Sequence, residues 1–144
     1  SVLQDLSNSE ADGRLKLYLL WKGLNFRQKH PKLFLGADYI PLEVRGKKEG
    51  NIVDFIRKSH HQMILVAAAR FFTEFGGWDH PGPISRKAWQ DTRIFLPKEC
   101  KGQTLRDLFT ERQFRMTERK EGITIYASDL FQNLTAALIT NQKT

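Results

Sequence analysis

The hydrophobic pattern near the start of the chain predicts one long helix, from about Gly13 to Lys29. At 100° per residue, its apolar side chains divide into two stripes on opposite sides of the helix. The first stripe is Leu17, Leu20, Trp21 and Leu24, and the second is Leu15, Leu19 and Phe26. A helix that rests on a single core needs only one apolar stripe. We therefore expect this helix either to be sandwiched within the fold or to carry one stripe for a domain that is missing from this chain.

Both ends of this helix carry sequence signals. Asp12 or Ser9 can cap its start, because their side-chain oxygens accept hydrogen bonds from free backbone N–H groups. Pro31 ends it, because the residue before a proline avoids the helical region of backbone space. The helix is therefore expected to stop at the His30-Pro31 pair.

Beyond residue 35 the pattern predicts strands. The segments are "YIPLEVR", "IVDFIRK", "MILVAAARFF", "TRIFLP", "GITIYA" and Leu134 to Ile139. The first alternates, with Ile40, Leu42 and Val44 on one face. Its Pro41 suggests a sheet edge, because proline cannot donate to a ladder. The third is a continuous apolar run, which is typical of a central strand buried on both faces. "TLRDLFTERQF" fits either two short strands around a turn or a helix.

These elements predict a mainly β fold in which one long N-terminal helix packs on an antiparallel β-sandwich. The expected boundary divides residues 1–34, the helix and junction, from residues 35–144, the sandwich domain. A chain of 144 residues is long enough for a hydrophobic core. It opens without an initiator methionine, so we expect it to be cut from something longer or to have a processed start.

Charge and composition narrow the expected partners. The formal net charge is +7, but the basic residues are scattered and acids are interspersed. We therefore predict an ordinary solvated surface, with nucleic-acid binding as the less favoured alternative. No apolar run approaches the roughly 20 residues that a membrane span needs, so no membrane partner is predicted. Cys100 stands alone, which excludes an internal disulfide and favours a reducing cytoplasm.

The chemistry-bearing residues form no recognisable catalytic motif. His60 and His61 are neighbours in a predicted turn without metal-ligand spacing, so we predict no catalytic, cofactor or metal site. Trp78 and Trp89 flank a Gly- and Pro-rich loop. Their rings either stack on a sugar, as in a carbohydrate-binding module, or plug the end of the sandwich.

Several stretches together resemble the C-terminal region of the maltooligosyltrehalose synthases, the (1→4)-α-D-glucan 1-α-D-glucosylmutases of the α-amylase superfamily. "LNFRQKHPKLF" is similar to their last barrel helix, "GADYIPLEV" to the strand that opens their β-domain, and "WQDTRIFLP" to their W-x-D-T-R stretch. The matching positions are Leu24, Arg27, His30, Pro31, Leu33, Phe34, Trp89, Asp91, Thr92 and Arg93. The closing segment "NLTAALI" and the loop from Gly76 to Lys87 depart from the family pattern.

This resemblance implies a parent enzyme that isomerises the reducing-end α-1,4 bond of a maltooligosaccharide to an α,α-1,1 bond in trehalose biosynthesis. Its catalytic carboxylates would lie in a barrel upstream of this chain, so the chain alone is expected to be inactive. The implied partners are that barrel and, through the parent enzyme, the maltooligosaccharide. No metal or organic cofactor is implied. The expected role of this region is to pack against the barrel and brace it.

Overall fold

The computed structural model describes residues 2–7, 13–75 and 84–143 of the chain. The helices are α1 (Val2–Ser7), α2 (Arg14–Lys29), α3 (Pro31–Leu35), α4 (Arg86–Trp89) and α5 (Ala127–Leu130). The strands are β1 (Asp38–Ile40), β2 (Val44–Arg45), β3 (Ile52–Ser59), β4 (Gln62–Ala69), β5 (Arg93–Leu96), β6 (Thr104–Asp107), β7 (Gln113–Arg115), β8 (Glu118–Arg119), β9 (Gly122–Tyr126) and β10 (Ala136–Thr140).

The strands form two antiparallel sheets. Sheet A has the order β1-β3-β4-β10-β6-β7, and sheet B has the order β2-β5-β9-β8. Strands β3 and β4 pair along their whole length, from Ile52 opposite Ala69 to Ser59 opposite Gln62. The two-residue turn at His60 and His61 joins them into a hairpin, as the short polar link in the sequence predicts.

Strand β4 lies in the middle of sheet A and is buried on both faces. Met63, Leu65 and Ala67 enter the core that sheet A shares with sheet B. Ile64 and Val66 point the other way, into a second cluster beneath the helices. The first seven residues of the run "MILVAAARFF" therefore have the central position that the pattern predicts, but the strand ends at Ala69, and Phe71 and Phe72 beyond it are exposed.

The molecule has three layers: helices α2 and α3, sheet A, and sheet B. Phe26 of α2 and Leu33 of α3 pack with Ile64 and Leu108 on the outer face of sheet A. The inner face of sheet A and one face of sheet B enclose the larger core, to which Trp89, Ile94, Leu96, Ile123, Ile125 and Phe131 contribute. The division at residue 34 stays a prediction, because these contacts describe packing and not independent folding.

Two features of the fold differ from the expectation of a mainly β protein. Helical residues are about as numerous as strand residues, so the fold is mixed. The helix α3 was not predicted; it begins at Pro31, which suits the first helical position because that N–H has no partner there. Helix α2 nevertheless ends at Lys29, where the His30-Pro31 signal places its end.

The segment "YIPLEVR" is not one strand. It divides into β1, at the edge of sheet A, and β2, at the edge of sheet B, with Pro41 in the link between them. Ile40, Leu42 and Val44 still pack against the same core, as their alternation predicts. Proline at this point leaves the link free of ladder pairing, so the chain can pass from one sheet to the other.

The other predicted segments agree with the structure to different extents. "TLRDLFTERQF" adopts the two-strand alternative, as β6 and β7. Strand β10 begins two residues later than expected, at Ala136. The candidate caps Ser9 and Asp12 lie outside the described residues, as does most of the Gly- and Pro-rich loop. Among the helices described, none has the length and apolar character that crossing a bilayer would require.

Candidate functional site

One side of helix α2 is fixed to the body of the fold. The Phe26 ring is buried beneath it. Tyr18 donates its hydroxyl to the Phe109 carbonyl oxygen at 3.2 Å, and the Lys22 ammonium pairs with Glu111 at 3.0 Å. These contacts define which side of the helix faces sheet A, since all three side chains lie on the side of the second stripe.

The other side of α2 is bare. Its exposed stripe is Leu17, Leu20, Trp21 and Leu24, with exposed fractions of 66%, 50%, 60% and 60%. The second stripe is covered or half-covered, because Leu15 and Leu19 are intermediate and Phe26 is buried. The structure thus shows one stripe packed within the fold and one stripe that no described residue covers. A contiguous apolar surface of this kind marks an interaction site more often than a solvated face.

A groove continues the exposed stripe at the elbow between α2 and α3. It is open to solvent, has a volume of about 330 Å³ and is lined by Leu24, Arg27, Gln28, Pro31, Phe34 and Leu35. Leu35 is 80% exposed at its far edge. The guanidinium of Arg27 lies 6.0 Å from the centroid of the Phe34 ring, so its charge stands at the lip of an apolar groove. The groove lies where His30 interrupts the two helices, because its backbone has φ of -125° and ψ of 55° and so leaves the helical region.

Of the two tryptophans that could contact a sugar, one is buried and the other lies outside the described residues. The Trp89 ring has no exposed area and stacks on Phe131, with the ring centroids 5.0 Å apart. It therefore has the core-plugging position and offers no face to a sugar. Trp78 lies outside the described residues.

The W-x-D-T-R stretch forms a structural clamp that the sequence pattern does not predict. The Asp91 carboxylate accepts a hydrogen bond from the Lys47 backbone N–H at 3.0 Å, and the Thr92 hydroxyl accepts one from the Lys48 N–H at 2.9 Å. Arg93 makes two contacts with the Glu121 carboxylate, at 3.0 and 2.6 Å. The stretch therefore joins the loop after β2 to the start of β5. The sequence shows only that both segments have turn-forming residues, a glycine in the loop after β2 and an Asp-Thr pair before β5, and does not show that the two are in contact.

The polar candidates do not converge on a catalytic arrangement. His60 and His61 occupy the β3–β4 turn, and the described residues contain no cluster of three or more metal-binding side chains. Burial raises the pKa of the Cys100 thiol to about 11, so this thiol is protonated and unreactive near neutral pH.

Asp54 has a perturbed carboxyl group in a half-buried position. It lies on the core side of β3, and burial raises its pKa to about 6 despite a hydrogen bond from the Leu42 backbone. Its Oδ2 atom has no hydrogen-bond partner among the described residues. Because no cation in the described part of the chain offsets this burial, the ionised form is a cost to folding.

Replacing Asp54 with asparagine should raise the free energy of unfolding by about 1–2 kcal/mol at pH 7, allowing for solvent screening. The folded pKa lies above that of an unfolded chain. The cost is therefore absent below about pH 4, grows between about pH 4 and 6, and is complete above pH 6. The wild-type protein should lose stability over this range relative to the variant. Urea unfolding at several pH values measures the difference.

The matched control for this prediction is Asp91→Asn. The hydrogen bond from the Lys47 backbone lowers the pKa of Asp91, so its contribution is present at neutral pH and is lost as the pH falls through the folded pKa. The two variants should thus differ from wild type with opposite signs. Equal stability of Asp54→Asn and wild type from pH 4 to pH 8 would show that Asp54 is solvated.

Comparison with solved structures finds this fold within a much longer enzyme. The chain is similar to part of a single-residue variant of maltooligosyltrehalose synthase from Arthrobacter ramosus, with a TM-score of 0.60 and 21% sequence identity. The match covers 96% of this chain and 16% of that chain. No family model matches the chain, and no curated protein matches it. At 21% identity the similarity establishes a shared fold and leaves activity to separate argument.

Proposed function

We propose that this chain is a non-catalytic accessory domain of an enzyme of the maltooligosyltrehalose synthase type. In this proposal the exposed stripe of α2 rests against the catalytic barrel of the same polypeptide and braces it. The parent enzyme would convert the reducing-end α-1,4 bond of a maltooligosaccharide to an α,α-1,1 bond. The chemistry would take place in the barrel, with none of its reacting groups supplied by this chain.

The observation that carries the proposal is the bare stripe of four large apolar side chains on a helix otherwise fixed to the fold. Burial of one such side chain stabilises a structure by about 1.5–3 kcal/mol, so leaving four of them in water is costly. The stripe lies close to the start of the chain, where any preceding polypeptide would be attached. The fold similarity adds support, since the matching region is a small part of a long chain.

The first experiment reads the complete gene. A stretch of several hundred codons ahead of Ser1 that encodes a barrel would support the proposal, and an open reading frame that starts at or near Ser1 would overturn it. The protein made from that complete frame should consume the reducing ends of maltooligosaccharides. The 144-residue chain should not.

The bracing role predicts a particular response to Leu20→Asp combined with Trp21→Asp. In the 144-residue chain both side chains are exposed, so its unfolding midpoint should change little. In the complete protein the two carboxylates would be buried between α2 and the barrel, so we expect the temperature of half-inactivation to fall by at least several degrees. Loss of reducing ends after heating at graded temperatures measures this.

Phe71→Asp is the control for the Leu20 and Trp21 variant. Phe71 is also an exposed aromatic residue, but it follows β4 at the end opposite Ile64, the residue that packs beneath α2. It should leave heat inactivation of the complete protein unchanged. If the two variants behave alike, α2 does not brace the barrel.

A further inference from the structure

The exposed stripe of α2 is bordered by positive charge alone. From residue 13 to residue 37 the chain contains no Asp or Glu. Its six cations there are Arg14, Lys16, Lys22, Arg27, Lys29 and Lys32. Elsewhere in the sequence acidic residues are interspersed among the basic ones. The segment without acidic residues is therefore the same segment that carries the exposed stripe.

Most of the cations beside the stripe make no ion pair with a described carboxylate. Lys22 pairs with Glu111 on the covered side of the helix, and Arg14 also has a partner. Lys16 and Arg27 lie along one edge of the stripe by helical spacing, and both are exposed. In the described part of the chain no carboxylate pairs with Lys16 or Arg27, nor with Lys29 or Lys32. Their charge therefore remains available to a partner.

We infer that the surface that covers α2 is an apolar protein face with carboxylates along its rim, one of whose large side chains fills the elbow groove. This inference rests on the proposed function, in which that face belongs to the barrel of the same polypeptide. Acidic side chains of the face pair with Lys16 and Arg27. A leucine or aromatic side chain enters the groove between Leu24 and Leu35.

Charge opposes the simplest competing occupant, a second copy of this chain. Two antiparallel α2 helices placed face to face would bring together the edges that carry Lys16 and Arg27, and like charges in such contacts cost several kcal/mol. An acidic rim instead turns the same cations into favourable contacts and opposes pairing with the wrong surface.

The groove distinguishes a folded protein from an anionic lipid surface. Cationic residues beside an apolar helix face would also suit a membrane. A lipid surface, however, has no fixed side chain to match a groove of about 330 Å³. Interfaces between folded proteins characteristically place one large side chain in such a depression. The elbow therefore favours the protein face.

The test measures how often the exposed stripe of α2 separates from the surface that covers it. A cysteine is introduced by Leu20→Cys, and its reaction with the uncharged reagent N-ethylmaleimide is followed in the complete protein and in the 144-residue chain. The native Cys100 contributes little background from this domain, because it is buried and protonated. Rates are read as the difference from the same protein without the new cysteine.

We expect slow labelling in the complete protein and fast labelling in the 144-residue chain. Adding Lys16→Glu with Arg27→Glu should speed labelling of the complete protein by about tenfold, because two attractions become repulsions. Raising the salt from about 50 to about 500 mM should also speed it, since exposed charge pairs are screened. The control, Lys98→Glu with Lys120→Glu, changes net charge equally on exposed residues outside α2 and α3 and should leave the rate unchanged.

Failure of the inference differs from failure of the proposed function. Equally fast labelling in the two proteins would mean that the stripe is uncovered, and both would be overturned. Slow labelling of the complete protein whose rate changes neither with salt nor with charge reversal would support the bracing role and overturn the inference of an acidic rim. Binding of the 144-residue chain to vesicles of phosphatidylserine and phosphatidylcholine, abolished by Leu20→Asp, would assign the stripe to a membrane and overturn the inference.

Discussion

Replacing Trp89 with alanine should lower the free energy of unfolding by about 4 kcal/mol, within the range for removing a fully buried Trp or Phe side chain. The indole has no exposed area and lies between Phe75 and Phe131, whose ring centroids are 4.8 and 5.0 Å away. It belongs to the core that joins sheets A and B, so no neighbouring side chain can move into the space without disturbing both sheets. Urea unfolding of the 144-residue chain, followed by circular dichroism, measures the loss.

Trp89→Phe is the informative companion variant. The indole Nε1 has no acceptor among the described residues, so phenylalanine gives up no hydrogen bond there. It should therefore cost only the lost volume, about 1–2 kcal/mol. If Trp89→Ala cost less than about 1 kcal/mol, the ring would not be a core residue, and its candidacy for sugar contact would reopen.

The parts of the fold that the sequence predicted are those where local pattern and tertiary packing agree. The alternation of "GITIY" suits β9 because Ile123 and Ile125 face the core. The run "MILVAAA" suits β4 because both faces of that strand are covered. In each case the side-chain period alone determines the environment.

The parts that the sequence did not predict depend on distant contacts. The segment "YIPLEVR" has the right alternation for one strand, yet β1 pairs with β3 and β2 pairs with β5 in a different sheet. Helix α3 is only five residues long, too short for a periodic signal. Its position depends on Leu33, which fills the space beneath it.

The candidate site shows the same limit. Sequence spacing separates the two stripes of α2 but cannot tell which one meets sheet A, because both contain leucines and an aromatic residue. Tyr18 and Lys22 settle the choice through Phe109 and Glu111, residues about 90 positions away. The raised pKa of Asp54 is not predictable from the sequence for a related reason: it depends on burial on the core side of β3, which no local pattern reveals.

Replacing Gly46 with alanine should lower the free energy of unfolding by about 3 kcal/mol, since it combines backbone strain with lost hydrogen bonds. Gly46 has φ of 123°, a conformation that residues with a Cβ rarely adopt. A Cβ there would lie 2.5 Å from the Thr92 Cα and 2.8 Å from its backbone nitrogen, so the loop would have to move away from the turn before β5.

That movement would break the clamp, because Lys47 and Lys48 donate to Asp91 and Thr92 only while Gly46 lies against them. Gly50→Ala is the matched control: this glycine lies in the same loop, and a Cβ there would meet nothing within 4 Å. Its effect should stay within about 0.5 kcal/mol in the same urea titration, as for an ordinary surface substitution. Two alanine variants of equal stability would mean that the loop tolerates displacement from Thr92, and the W-x-D-T-R stretch would then need an explanation other than holding this loop in place.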